Sequence, residues 1–148
     1  MEKTEIFKEI SRNYSDASIL MHETIARSVG LSGTDHKYLG LIIKKEEMTA
    51  GEIAEITGLT TGAVTGLIDR LEKRKLVKRK ADKADRRKVM IVPNTQKAME
   101  LLQPIFYDLQ ERTQELISTF SDVEINVIER YFISATEIMK TVTKNLNK

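Results

Sequence analysis

The sequence predicts an all-α protein with one small β wing. Apolar residues recur at three- and four-residue steps through most of the chain, which is the periodicity of amphipathic helices. The period changes after Leu76, where two short, basic, β-branched segments at 76–80 and 88–92 are separated by seven residues, five of them charged. This pattern predicts a two-stranded hairpin whose loop tip spans residues 81–87.

Composition limits the class of protein. A chain of 148 residues is long enough for one sizeable core, and we predict a single domain over residues 1–148. With 41% hydrophobic and 31% charged residues it has an ordinary globular composition. The absence of cysteine excludes disulfides and thiolate zinc sites. No apolar run approaches the roughly 18 residues that span a bilayer, and the N-terminus lacks a signal-peptide pattern, so we expect a cytoplasmic location and no membrane partner.

The first two helices are delimited by glycine. Apolar residues from Ile6 to Val29 repeat at helical spacing, and Gly30 is a plausible C-cap. Thr34 is then expected to cap a second helix that runs to about Lys45.

The next two helices form a helix-turn-helix pattern. Thr49 and Glu52 have the spacing of a capping box, Gly58 supplies the turn, and Thr60 is expected to cap the following helix. The residues predicted to face inward are Ile53, Ala54, Ile56, Leu59, Val64, Leu67, Ile68 and Leu71. The opposite face of the second of these helices carries short side chains that would let it lie deep in a DNA major groove.

Positive charge is concentrated beside this pattern. The segment from Asp69 to Lys88 contains eleven Lys/Arg and four Asp/Glu, a balance of +7 in a chain whose total is +2. Such a surface suits a phosphate backbone. The alternative is a charged hairpin that only protects a solvated edge from aggregation, and several residues from Lys73 to Lys80 must simply face water.

The segment from Thr49 to Val92 resembles the MarR family of bacterial transcription regulators. The elements that carry the resemblance are Asp69-Arg70-Leu71 and the wing signature Asp85-Arg86-Arg87. The resemblance implies a winged helix-turn-helix lobe at residues 34–92, flanked by dimerisation helices at 1–30 and 94–148.

The resemblance also implies how the wing binds DNA. Arg87 would enter the minor groove, and Asp85 and Asp69 would orient it, while Lys83, Arg86 and Lys88 would contact phosphates. The residues predicted to bind DNA are Thr49, Thr60, Thr61, Gly62, Thr65, Gly66, Arg70, Lys83, Arg86, Arg87 and Lys88.

The C-terminal part predicts two more helices. The first begins at Asn94, a likely N-cap, and contains Pro104, which is expected to kink or delay it. The second begins at a capping box, Ser121 to Glu124, and has an apolar seam that could pack against the first helix of the same chain or against a partner chain. We favour a homodimer whose interface contains Ile6, Ile10, Ile128, Phe132, Met139 and Val142.

The sequence gives little support for an enzymatic function. The chain has two histidines, His22 and His36, and neither a Gly-rich phosphate loop nor a nucleophile elbow. Asp35 with the histidines lacks a third soft ligand for a metal, so we predict no catalytic residue, metal or cofactor. An effector pocket lined by His22, His36 and Tyr38 is expected from the family, although Tyr38 could equally be a core aromatic.

These observations predict a homodimeric repressor that binds a pseudo-palindromic operator in double-stranded DNA and is released by a small-molecule effector. The alternative is a winged-helix module that binds an acidic protein partner without specific DNA binding.

Overall fold

The computed structural model describes residues 2–147, which form six helices and three short strands. In chain order the elements are α1 (Lys3–Ser28), α2 (Gly33–Lys45), β1 (Met48–Thr49), α3 (Ala50–Thr57), α4 (Thr61–Lys73), β2 (Val77–Ala81), β3 (Val89–Pro93), α5 (Thr95–Ser118) and α6 (Asp122–Leu146). The predicted class, mostly helical with a small β wing, is confirmed. No helix among the described residues is long and apolar enough to cross a membrane.

The turn between α1 and α2 uses a different cap from the one predicted. Gly30 has a φ of 72°, in the left-handed region where a side chain would be strained. The N-cap of α2 is Ser32, whose hydroxyl accepts a hydrogen bond from the amide of Asp35 at 3.0 Å. The prediction of Thr34 as the cap was therefore wrong by two residues, because Ser32 is also a good cap and lies where the chain first turns into the helix.

The helix-turn-helix is formed by α3 and α4. Thr49 and Glu52 form the predicted capping box: the Glu52 amide donates to Thr49 Oγ1 at 3.1 Å, and the Thr49 amide donates to Glu52 Oε2 at 2.7 Å. Gly58 ends α3 with a φ of 71°, and Thr60 caps α4 through the amide of Ala63 at 3.2 Å. These local predictions are confirmed.

One predicted core residue is exposed. Ile56 is 50% exposed, whereas Ile53 on the same helix is fully buried. An eight-residue helix buries only one narrow stripe, and Ile56 lies outside it. The buried face of α4 is as predicted, and its members are Val64, Leu67, Ile68 and Leu71.

The wing belongs to a three-stranded antiparallel sheet with the order β1-β3-β2. Val77 pairs with Pro93 and Ala81 with Val89, so the hairpin lies one residue later than predicted. Met48 pairs with Ile91, which adds β1, a strand that the sequence prediction lacked. A two-residue strand has too few residues to show an alternating pattern, and it forms only because β3 offers a free edge.

The C-terminal helices begin where the sequence predicted. Asn94 accepts a hydrogen bond from the Lys97 amide at 3.1 Å, and Ser121 and Glu124 form a second capping box. Pro104 lies inside α5 without delaying its start. The chain divides into two compact units, one ending at Leu102 and the other beginning at Gln103, so that α5 runs through the boundary.

The second unit leaves its apolar seam uncovered in the single chain. No residue of α6 is buried, and Phe132, Met139 and Val142 are 48%, 68% and 51% exposed. In the first unit, Ile6 and Ile10 of α1 are also exposed, at 40% and 58%. Ile128 is half-buried.

Candidate nucleic-acid interface

The exposed face of α4 is built from very small side chains. Thr61, Gly62 and Thr65 are exposed, and Gly66 is half-buried. A Cβ atom added at Gly62 would meet nothing within 4 Å, so the helix surface there is open. The helix can therefore approach another molecule closely at its first two turns.

Arg70 on α4 forms a two-pronged ion pair with Asp35 on α2. Its Nε and Nη2 atoms each donate to a different carboxylate oxygen of Asp35 at 2.8 Å. Asp35 is buried, at 4% exposure, while the side chain of Arg70 remains 58% exposed. The hydrogen bond to Asp35 raises the pKa of Arg70 and keeps it charged. Arg70 was predicted to bind DNA, and the structure gives this guanidinium a structural partner that the sequence did not indicate.

Arg79 on β2 fastens the wing to α4. Its Nη2 atom donates to Asp69 at 2.5 Å, and its Nη1 atom donates to Glu72. The hydrogen bond to Asp69 is the largest cause that raises the pKa of Arg79. The sequence prediction assigned Asp69 to Arg87, and this pairing is wrong in the structure, since the carboxylate of Asp69 accepts from Arg79.

Arg74 closes the C-terminal end of α1. Its Nη1 and Nη2 atoms donate to the carbonyl oxygens of Gly30 and Val29, each at 2.7 Å. These carbonyls lie at a helix end, where backbone acceptors lack partners within the helix. Three arginines of the basic segment, Arg70, Arg74 and Arg79, thus hold the fold together. Sequence reasoning missed their roles because their partners lie 7 to 45 residues away.

The tip of the wing is a compact turn with exposed cations. The Asp82 amide donates to the carbonyl of Lys88, and the Lys88 amide donates to that of Asp85, both at 2.9 Å. Asp85 Oδ1 accepts from the Arg87 backbone amide at 3.0 Å, so Asp85 orders the backbone of Arg87. The exposed basic side chains around this turn are Lys83, Arg86, Arg87 and Lys88.

The predicted threonine contacts also serve as helix caps. Thr49 and Thr60 are the N-caps of α3 and α4, and each hydroxyl accepts a backbone hydrogen bond. Glu52, in the box with Thr49, has its pKa lowered mainly by the backbone hydrogen bond from Thr49 and, among lesser causes, by the charge of Lys88. A predicted role in DNA binding for these residues stays a prediction.

A cavity of about 730 Å³ lies between α1 and α2. His22, His36 and Tyr38, the predicted effector residues, all line it, together with Glu23 and Lys37. The two imidazole rings lie 5.8 Å apart, and the Lys37 ammonium lies 5.6 Å from the centre of the Tyr38 ring. Burial, and then the nearby charge of His22, lower the pKa of His36 below its ordinary value. The cavity is therefore a polar and aromatic space that favours a neutral His36.

Metal-binding groups are sparse. Within residues 2–147 no three His, Cys, Asp or Glu side chains gather around a point that could hold a metal ion. From the sequence, Asp35 was considered as a metal ligand together with the histidines. In the structure both of its carboxylate oxygens accept hydrogen bonds from Arg70.

Comparison with known sequences finds a matching family model and similar transcriptional regulators. The model of the MarR family matches residues 29–88. The uncharacterized HTH-type transcriptional regulator YcgE of Bacillus subtilis (strain 168) is similar to this chain, with 35% identity over 148 residues that cover 100% of this chain and 94% of that protein. The HTH-type transcriptional regulator MhqR of the same strain shows 31% identity over 140 residues, which cover 95% of this chain and 90% of that protein.

Solved structures share the fold. A MarR family protein from Bacillus stearothermophilus has a TM-score of 0.71 at 22% identity and covers 95% of this chain and 99% of its own. A mutant of S. aureus MepR bound to an oligodeoxyribonucleotide has a TM-score of 0.59 at 21% identity, with coverages of 96% and 99%. Bordetella bronchiseptica BpsR, whose DNA binding is regulated by 6-hydroxynicotinic acid, has a TM-score of 0.59 at 18% identity, with coverages of 92% and 96%.

Proposed function

The chain belongs to the MarR family and is a DNA-binding transcription regulator, and we propose that it is a homodimeric repressor of a pseudo-palindromic operator. A small molecule in the cavity between α1 and α2 would release the repressor from DNA. Because its target is the bacterial chromosome, it would act in the cytoplasm. The family consists of transcription regulators, and we assign this chain no catalytic activity.

The observation that carries the proposal is that some cations of the basic segment, residues 69–88, have partners in the fold while, among the described residues, those at the wing tip form no ion pair. Arg70, Arg74 and Arg79 have hydrogen-bond partners within the first compact unit, which ends at Leu102. In the described part of the chain, no ion pair engages Lys83, Arg86 or Arg87 at the wing tip. Exposed cations on an ordered turn beside an open helix face suit a duplex, with α4 in the major groove and the wing tip in the minor groove.

The proposal of a homodimer is supported by the exposed seam of α6. Large apolar side chains such as Phe132 and Met139 are rarely left in contact with water along a whole helix of a monomer. Ile6 and Ile10 on α1 add a second exposed apolar stripe. A second copy of the chain would cover both, and its two-fold axis would place one α4 in each operator half-site.

The proposal of an effector is supported by the cavity and by the Asp35–Arg70 ion pair, which connects α2 to α4. The cavity lining includes His36, and its neighbour Asp35 is bonded to Arg70 on α4. A ligand that moves α2 would therefore change the position of α4. The relative BpsR is regulated by a small aromatic acid, which makes planar acids reasonable first probes.

The test is selection of bound duplexes from a random DNA pool, followed by footprinting. We expect an inverted repeat whose half-site centres are about 10 to 10.5 base pairs apart, or a multiple of that spacing. Affinity should fall steeply with salt because phosphate contacts release counterions. Recovery of no preferred sequence, with random DNA bound as tightly as any selected duplex, would reject this function and favour the protein-interaction module.

A further inference from the structure

We propose that α4 recognises its operator through the C5-methyl groups of thymines in the major groove, chiefly by the methyl groups of Thr65 and Ala63. This inference rests on the proposed function and adds the chemistry by which the helix selects bases. The residues that carry it lie in the first two turns of α4, the part of a recognition helix that reaches base edges.

The residue types in these turns exclude the usual hydrogen-bond readers. The exposed or half-buried residues from 61 to 66 are Thr61, Gly62, Ala63, Thr65 and Gly66. None is an Arg, Lys, Asn or Gln, the side chains that read guanine or adenine through paired hydrogen bonds. What this surface offers to a base pair is mainly methyl groups, and the methyl group that a base pair offers in return is that of thymine.

The hydroxyls of Thr65 and of the N-cap Thr60 form hydrogen bonds with the backbone. Thr65 Oγ1 donates to the carbonyl oxygen of Thr61 at 3.0 Å, so its only proton is used within the helix. Thr60 Oγ1 accepts from the amide of Ala63 at 3.2 Å as the cap. The Thr65 side chain therefore has no hydroxyl proton left to donate to a base, and it offers its methyl group for apolar contact.

The two charged side chains of the next turn, Asp69 and Arg70, also have partners in the fold. Asp69 accepts from Arg79, and Arg70 donates its Nε and Nη2 atoms to Asp35. The remaining Nη1 of Arg70 lies beside Gly66, 3.2 Å from where a Cβ would stand. Asp35 therefore occupies the Nε and Nη2 edge of the guanidinium, and only its Nη1 end remains available to a guanine.

The absence of a side chain at Gly62 lets α4 come close enough to the bases for apolar contact. Apolar contact needs heavy atoms within about 4.5 Å, and a side chain at the centre of the exposed face would hold the helix away from the groove floor. With open space at Gly62, the neighbouring methyl groups are the first atoms to meet the base edges.

The experiment replaces thymine by uracil, one position at a time, in the selected operator. Uracil lacks the C5-methyl group but keeps the pairing edge and the minor-groove edge. At thymines within the major-groove footprint of α4 we expect losses of about threefold to fivefold per contacted methyl group, from the transfer free energy of one such group. Thymines outside that footprint should show no loss and serve as the internal control.

Two variants of Thr65 attribute the effect to a side chain. Thr65→Ser keeps the hydroxyl and removes the methyl group, so the thymine-to-uracil affinity ratio at the facing position should fall to about one. Thr65→Val removes the hydroxyl and keeps a methyl group, so that ratio should persist. Circular dichroism and thermal unfolding of both variants verify that α4 is intact.

A second base analogue tests the alternative that an arginine reads guanine. 7-Deazaguanine removes the N7 acceptor that a reading arginine would use. Sensitivity to 7-deazaguanine without sensitivity to uracil would overturn the proposal and assign recognition to Arg70. A preferred operator that tolerates uracil at every position also overturns it, while leaving the proposed function intact, whereas the absence of any preferred operator rejects the function itself.

Discussion

Arg70 donates two hydrogen bonds of 2.8 Å to the buried carboxylate of Asp35, and so ties α4 to α2. α2 also supplies His36 and Tyr38 to the cavity. The helix that would enter DNA and the helix that would contact an effector are therefore joined by one ion pair. If α2 moves, either α4 moves with it or the ion pair between Asp35 and Arg70 breaks.

Removal of one partner of this pair should destabilise the fold. Arg70→Gln leaves the Asp35 carboxylate buried without its counter-ion, and we expect a loss of about 1 to 3 kcal/mol in the free energy of unfolding. The lower part of the range applies because the Arg70 side chain is 58% exposed and thus partly screened. Urea unfolding at one fixed protein concentration measures the loss.

A matched control is available on α5. Arg112 donates to Asp108 through Nε, but both side chains are about three-quarters exposed, at 74% and 73%. Arg112→Gln should cost less than about 0.5 kcal/mol. Equal effects of the two substitutions would show that the burial of Asp35 contributes nothing to stability.

The wing tip should contribute specificity through one arginine and general affinity through a lysine. Arg87→Ala is expected to weaken operator binding by about 1 to 3 kcal/mol more than binding to random DNA. Lys83→Ala should weaken binding to both kinds of DNA and lower the slope of log affinity against log salt by about one unit. Titrations over a range of salt concentrations distinguish these outcomes, and an equal loss for Arg87→Ala on both duplexes would argue against its role in reading the minor groove.

The glycines of α4 differ in what a side chain would meet. At Gly66 an added Cβ lies 3.2 Å from Arg70 Nη1, whereas at Gly62 it meets nothing within 4 Å. Gly62→Leu should therefore raise helix stability by about 0.5 to 1 kcal/mol while abolishing operator binding. Normal binding by Gly62→Leu would mean that α4 does not lie in the groove.

The seam of α6 should hold two chains together. Phe132→Asp places a charge where the partner's apolar residues would pack, and we expect it to convert the dimer to a monomer or to unfold it at micromolar concentration. Ser134→Asp adds the same charge to an exposed polar position of the same helix and should leave the dimer intact. Sedimentation decides the matter, and a wild-type protein that sediments as a monomer would refute the proposed assembly.

Stability should depend on pH through His36. Since burial lowers its pKa in the folded state, the unfolded chain takes up the proton first, and stability falls as the pH drops below the ordinary value of 6.5. His36→Gln should reduce this loss between about pH 7.5 and the lowered folded pKa. A nuclear magnetic resonance titration in which His36 protonates at or above its ordinary value would contradict the assignment.

Local chemistry in the sequence was sufficient for the framework of the fold. The capping boxes at Thr49 and Ser121 and the glycine turn at Gly58 involve residues no more than four apart, so their geometry follows from nearby residues alone. The buried stripe of α4 follows in the same way from helical periodicity. The basic segment and its two motifs indicated the family.

Only the tertiary structure decided which charges hold the fold and which remain exposed. Eleven cations between Asp69 and Lys88 look alike in sequence, but Arg70 finds a buried carboxylate 35 residues away and Arg74 finds a helix end 44 residues away. The same holds for β1, which exists because β3 passes beside it, and for Ile56, which lies off the buried stripe of α3. Pairing over such distances depends on how the helices pack, and no local pattern encodes it.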